Sequence, residues 1–284
     1  MTNSRKSLPY DMGNIGDLLK HGVMAEFIRW RTRETNWKIG TNLDDKKFVF
    51  FDPFCGCPWE NCANLNVIKR LEQLRDDFPK DFAIVDAQPY FDKRIYYGSA
   101  HVALHQIQSC ALSPAVHISD KCSERVKILI ESDSSQNIKK IKRDSFYPSN
   151  GYSILDSINA RETNPHMVLI DPFEDMGKIR QRACDISTAS KRTAVVLFVL
   201  VNDDTQWKKI WDELRGQPCI ILTCPRLEKT GINGENNYAT KVILISDLLT
   251  SAKAPELRTK LKDYAAALTK ITEKYLDGQA ITCD

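Results

Sequence analysis

No uninterrupted apolar run in this sequence approaches the ~20 residues needed to cross a bilayer, and the polar, basic stretch Met1 to Pro9 is followed by no apolar signal-like segment. A soluble, cytoplasmic protein without a membrane partner is expected. Charge of one sign is also scarce. The formal net charge of +3 does not by itself diagnose a nucleic-acid binder, so the arrangement of charge has to carry that question. Cysteine is present but unpatterned. Of nine cysteines only Cys55, Cys57 and Cys62 cluster, and no second cysteine or histidine pair stands at zinc-finger spacing. Free thiols and no metal are expected. Internal repeats, low-complexity linkers and composition breaks are missing as well, which points to one domain over residues 1–284.

What is present is an alternation of short apolar runs with amphipathic stretches, the pattern of an α/β fold with a mostly parallel sheet. Asp17 to Trp30 reads as a helix, with Leu18, Leu19, Val23, Met24, Phe27 and Ile28 at helical spacing, and Asp17 can cap it or favour its positive end. Strands are predicted at Lys47 to Phe54, Val126 to Glu131, Met167 to Ile170, Thr193 to Val201, Cys219 to Thr223 and Lys241 to Ile245. A closing helix is predicted at Leu257 to Tyr275. Residues 58–95 break the alternation and read as a small helical insertion, with a helix at Leu65 to Arg75 and a strand-like run at Phe82 to Val85. Arg226 to Tyr238, rich in glycine and asparagine, reads as a loop.

In open α/β sheets ligands bind beyond the carboxyl ends of the strands, where strand order reverses, so acidic residues at strand ends are the candidates. The first strand runs into Asp52-Pro53-Phe54-Cys55-Gly56, the second into Glu131, the third into Asp171-Pro172-Phe173-Glu174. A carboxylate such as Glu131 can accept hydrogen bonds from both ribose hydroxyls of a nucleoside cofactor; it can equally be a solvated acid. Asn150-Gly151 can read an adenine edge or form a plain turn. Ser99, ahead of a helix at Ala100 to Ile107, can offer its hydroxyl to a cofactor carboxylate. Asp171 is the strongest candidate for chemistry, because a carboxylate and a fixed backbone carbonyl accepting both protons of an aromatic amine draw its nitrogen toward tetrahedral geometry. Pro172 stiffens that turn, and Phe173 offers a face for a base. Basic residues recur at Lys139, Lys140, Lys142 and Arg143, at Lys178, Arg180 and Arg182, and at Lys191 and Arg192. Beside a catalytic mouth, Arg180 and Arg182 suit a nucleic-acid backbone.

Taken in order, these elements resemble the bacterial 23S ribosomal RNA adenine-N6 methyltransferase J family, formerly described as involved in catabolism of external DNA. The carriers are Gly13-Asn14-Ile15-Gly16-Asp17-Leu18-Leu19-Lys20-His21 preceded by Tyr10, then Asp52 to Cys57, Tyr96-Tyr97-Gly98-Ser99, Glu131, Asn150-Gly151 and Asp171-Pro172-Phe173-Glu174. The likeness runs from Tyr10 to about Val201. It departs from the family where Phe173 replaces a second proline, where Asn150 replaces aspartate and where the glycine loop is depleted. The resemblance implies a class I methyltransferase (Rossmann-like) fold, a mostly parallel seven-stranded sheet with helices on both faces. It also implies S-adenosyl-L-methionine as cofactor, held by Lys20, His21, Asp52, Phe54, Ser99, Glu131, Asn150, Gly151 and Asp171. Catalysis would fall to Asp171, Pro172 and Phe173, and the substrate would meet Tyr10, Asn14, Arg180 and Arg182.

The expected activity is methyl transfer to adenine N6 in RNA, ribosomal RNA first, by a monomer. Two other readings stand beside it: the same fold acting on DNA, and a fold retained as a nucleic-acid-binding module without turnover. A nuclease holding Mg²⁺ on Asp52, Glu131 and Asp171 leaves the Lys20-His21 element without a task.

Overall fold

A computed structural model describes residues 14–33, 47–56, 59–61, 72, 76–88, 95–120, 122–132, 137–140, 155, 165–171, 177–189, 192–225, 239–272 and 279–284. Tyr10, Asn150, Gly151, Pro172 and Phe173 lie outside the described residues. So do Cys57, Cys62, Lys142, Arg143, Lys191, the Arg226 to Tyr238 loop and, apart from Glu72, the helix expected at Leu65 to Arg75.

The chain opens with α1 (Ile15–Thr32), then β1 (Lys47–Asp52), β2 (Trp59–Asn61), α2 (Ala83–Ala87), β3 (Ile95–Tyr97), α3 (Ser99–Ser109), β4 (Ser113–Ile118), α4 (Ser123–Ser132) and β5 (Ile138–Lys140). It continues through β6 (Met167–Ile170), α5 (Gly177–Ala189), β7 (Ala194–Val201), α6 (Asp204–Leu214), β8 (Cys219–Cys224), β9 (Ala239–Ile245), a 3-10 turn (Asp247–Thr250), α7 (Ala254–Thr272) and β10 (Thr282–Cys283).

The main sheet has the order β10-β8-β9-β7-β6-β1-β4-β5. β5, β4, β1, β6 and β7 run parallel, and β9 lies antiparallel between β7 and β8. Order reverses between β1 and β6: the chain leaves β1 toward β4 and β5 and later returns to β6 on its other side. With β9 as the inserted antiparallel strand, this is the class I methyltransferase arrangement that was expected. Among the described residues the seven strands of that arrangement are extended at one edge by the two residues of β10, which pair with β8.

Apolar runs explain the central strands. Met167–Ile170 is buried throughout, as a parallel strand covered on both faces must be. One core collects Leu18, Val23, Phe27, Phe48, Phe50, Val102, Leu257 and Leu261 between the sheet and α1, α3 and α7. The other collects Val168, Ile170, Ile179, Val195, Val199 and Ile210 beneath α5 and α6. Helices therefore cover both faces. No helix among the described residues is long and apolar enough to cross a membrane.

Several expected elements differ. Val126 to Glu131, expected as a strand, lies inside helix α4, where Val126 and Leu129 are buried at helical spacing and Lys127 reaches Glu131 one turn on. Its strand-like apolar run arises because Ile128 points to solvent. On the side away from β6, β1 pairs with β4, which the sequence hides behind Pro114 and only three buried positions, Ala115, Val116 and Ile118. Phe82 to Val85 is not a strand either: Ala83–Ala87 is the short helix α2. The stretch expected as a helical insertion is bracketed by an antiparallel ribbon of β2 and β3.

Candidate active site

Asp52, Asp120 and Asp171 stand at or just past the carboxyl ends of three adjacent parallel strands, β1, β4 and β6. Asp52 is fully buried. It accepts hydrogen bonds from the Ser99 hydroxyl at the start of α3 and from the Phe54 amide at 3.2 Å. Burial dominates these bonds and pushes its carboxyl from the ordinary 3.8 up to about 7; Lys20 opposes the rise and Asp171 adds to it. Ser99 thus bonds to Asp52, and the N-cap of α3 is Gly98, which offers no side-chain cap.

The chain past β1 is laced to the chain past β4. Ser119 N–H donates to the Asp52 carbonyl at 2.9 Å and Cys55 N–H to the Ser119 carbonyl at 3.0 Å. Asp120 accepts from the Gly56 amide at 3.1 Å and from the Cys122 amide at 2.7 Å, with Arg125 at 3.7 Å. Gly56 holds φ +61°, and a side chain there would meet nothing nearer than the Phe54 carbonyl at 4.0 Å. The turn therefore requires glycine for its backbone conformation and leaves open space above it.

Helix α1 brings the remaining groups. Asn14 accepts the Asp17 amide at 3.0 Å and is the N-cap. The cap is thus Asn14, and Asp17 stands in the first turn, where its charge favours the positive end of the helix, the second of its two expected roles. Lys20, one turn on, pairs with Asp171, lies 3.1 Å from Asp17 and sits 5.1 Å from the Phe198 ring centre. His21 is buried against Tyr96, with 2.7 Å between Nδ1 and the phenol oxygen and the rings stacked. Burial and the neighbouring Lys20 ammonium hold its imidazole well below the usual range, so it is neutral at physiological pH. α1 approaches α7 closely enough that a Cβ on Gly22 would fall 2.1 Å from Tyr264, whose hydroxyl donates to the Leu18 carbonyl at 2.6 Å.

The structure thus brings Lys20, Asp52, Ser99 and Asp171 together, and Phe54 lies beside them. It does not bring Glu131 or the arginines. Glu131 lies on the exposed side of α4 and pairs with Lys127 at 3.7 Å. The strand end that argued for a ribose contact there does not exist. Arg180 is buried and forms a two-pronged pair with Glu213 that ties α5 to α6, its second prong at 2.8 Å. That pair commits the Nε and one Nη donor of Arg180 to Glu213 within the fold. Arg182 reaches Asp185 on its own helix at 3.7 Å. Asp120 and Phe198 were missed, and Tyr96, noted within Tyr96-Tyr97-Gly98-Ser99, had been given no role of its own. The signal for Asp120 was present, an Ala115 to Ile118 run ending in Ser119-Asp120 before a helix, but a stronger apolar run nearby masked it. A cavity of about 550 Å³ between Phe78, Phe82 and α7 contains none of these residues.

No protein-family model and no curated protein matches the sequence. Among solved structures, protein LPL1258 from Legionella pneumophila, described by the family model DUF519, is similar over 96% of this chain and 97% of its own. The TM-score is 0.65 and the identity 14%. A probable spermidine synthase from Corynebacterium glutamicum covers 90% of this chain and 79% of its own, with TM-score 0.43 and 10% identity. At 14% identity the likeness to LPL1258 concerns the fold alone, and the lower-scoring match carries no argument.

Proposed function

We propose that the protein is an S-adenosyl-L-methionine-dependent methyltransferase acting on adenine N6 in RNA, with ribosomal RNA as the first substrate to test. The observation that carries this reading is the convergence of Asp52, Lys20 and Asp171 where strand order reverses between β1 and β6. The donor set suits the cofactor. Gly56 leaves room for close approach, and Asp120, oriented by two backbone amides, keeps lone pairs for the ribose hydroxyls. It takes the part first assigned to Glu131. Asp52, Ser99 and Phe54 would line the remainder. When bound, S-adenosylmethionine would supply a methyl group activated by its sulfonium.

Asp171 then has one task. Its carboxylate would accept a hydrogen bond from the exocyclic amine, concentrating the nitrogen lone pair, and receive or relay the proton lost once the new carbon–nitrogen bond has formed. Lys20 holds that carboxylate in place beforehand. His21, neutral and fixed by Tyr96, supports the helix turn carrying Lys20.

The test is methyl transfer from labelled S-adenosylmethionine to ribosomal RNA and to DNA. Asp171→Ala is expected to abolish transfer while binding S-adenosylhomocysteine as the wild type does. Full turnover by that variant would remove Asp171 from the reaction.

A further inference from the structure

Among the described residues the exposed large apolar side chains are Ile128, Leu200 and Trp211. Ile128 and Trp211 lie on helices. Leu200 belongs to β7, which pairs with β6 as far as Leu197 and with β9 through Leu200 to Val201. Side chains of such strands are normally covered by the helices on the two faces, yet Leu200 is 45% exposed. It escapes cover because it stands at the carboxyl edge of the sheet.

Its position follows from the register. Ile170 faces Leu197, so Asp171 is level with Phe198, and Leu200 lies two residues further on. Ordinary strand rise and spacing put it about 8 Å from Asp171. Alternation turns Leu200 to the same face as Phe198, whose ring receives the Lys20 ammonium that pairs with Asp171. Phe198 and Leu200 thus form an apolar shelf on the β7 side of Asp171. Asp52, Ser99, Gly56 and Asp120 occupy the opposite, β1 and β4 side.

We propose that Leu200 is a substrate-positioning residue: an apolar face on which a planar heteroaromatic base lies while its exocyclic amine reaches Asp171. The inference rests on the methyltransferase reading and sharpens it. An aliphatic shelf recognises a ring by flat area and dispersion, not by hydrogen bonds. It therefore selects a base whose face is free, unpaired or extruded from its stack, and leaves the polar edge to Asp171. An aliphatic amine or a bare phosphate gains nothing from it.

The test compares wild type, Leu200→Ala and Leu200→Met by fluorescence anisotropy with single-stranded oligoadenylate and with an abasic oligonucleotide of equal length. Leu200→Ala is expected to weaken oligoadenylate binding about fivefold, within the range of single-base stacking losses. Leu200→Met should bind like the wild type, and abasic binding should be the same for all three. Equal oligoadenylate affinity in wild type and Leu200→Ala overturns the proposal, and so does an equal loss on both oligonucleotides. Titration with S-adenosylhomocysteine reads the cofactor site separately: its absence in the wild type would count against the methyltransferase reading, whatever the shelf does.

Discussion

Replacing Lys20 by methionine keeps the length of the side chain and removes the charge that Asp17 and Asp171 share. Side-chain exposure is 8% for Lys20, 9% for Asp17 and 16% for Asp171, so the two carboxylates left behind would be poorly solvated. At the 3.1 Å separating Lys20 from Asp17, an effective dielectric near 20 gives an attraction of about 5 kcal/mol. Desolvation of the ammonium offsets part of this. Breaking one partner of a buried pair costs about 3–5 kcal/mol, and the residual exposure of Asp171 argues for the lower end, about 3 kcal/mol. For a chain of 284 residues that is a fall of about 5 °C in Tm. Urea denaturation and calorimetry of Lys20→Met, Asp171→Asn and the double variant measure it. The double variant should recover more than half of the loss, because the Asp171 charge is removed together with that of Lys20. A deficit below about 1 kcal/mol in Lys20→Met, the range of solvated surface pairs, would refute the buried-network account.

Two further predictions concern the same frame. Asp52 has its carboxyl raised by burial from 3.8 to about 7, so between these values the folded protein binds the proton and the unfolded chain does not. Its contribution to stability is present below the unfolded value and is lost as pH rises through about 7. Asp52→Asn should therefore gain stability over wild type at pH 8 and much less at pH 5, read by urea denaturation; equal differences at both pH values would contradict the assignment. Gly22→Ala would push a methyl group into Tyr264. The expected loss is about 1–3 kcal/mol, smaller in a Tyr264→Leu background, and an unchanged Tm in the single variant would show that α1 and α7 can separate freely.

Much of the frame was legible because its signals are local. Met167–Ile170 and Ala194–Val201 are nearly pure apolar runs, and α1 and α7 carry long helical periods. Asp52 and Asp171 could be placed because each directly follows such a run. The Val126 to Glu131 region failed for a physical reason: four apolar residues among five suit a buried strand and a half-buried helix equally. Only the pairing of Ser113–Ile118 with β1 decides between them, and that pairing is tertiary. One mistaken strand directed the ribose assignment to Glu131 and left Asp120, past the end of β4, out of consideration. Arg180 illustrates the complementary limit, since nothing near it in sequence announces Glu213 thirty-three residues away as its partner. Leu200 was invisible for the same reason, as its exposure depends on where the covering helices stop.

The central claim, a nucleoside cofactor seated between the ends of β1 and β4, is tested most directly by calorimetric titration with S-adenosylhomocysteine of wild type, Asp120→Ala and Glu131→Ala. The account predicts saturable binding in the wild type, its loss in Asp120→Ala and its retention in Glu131→Ala, whose side chain faces solvent on α4. Absence of binding in the wild type, or loss in Glu131→Ala with retention in Asp120→Ala, would contradict it.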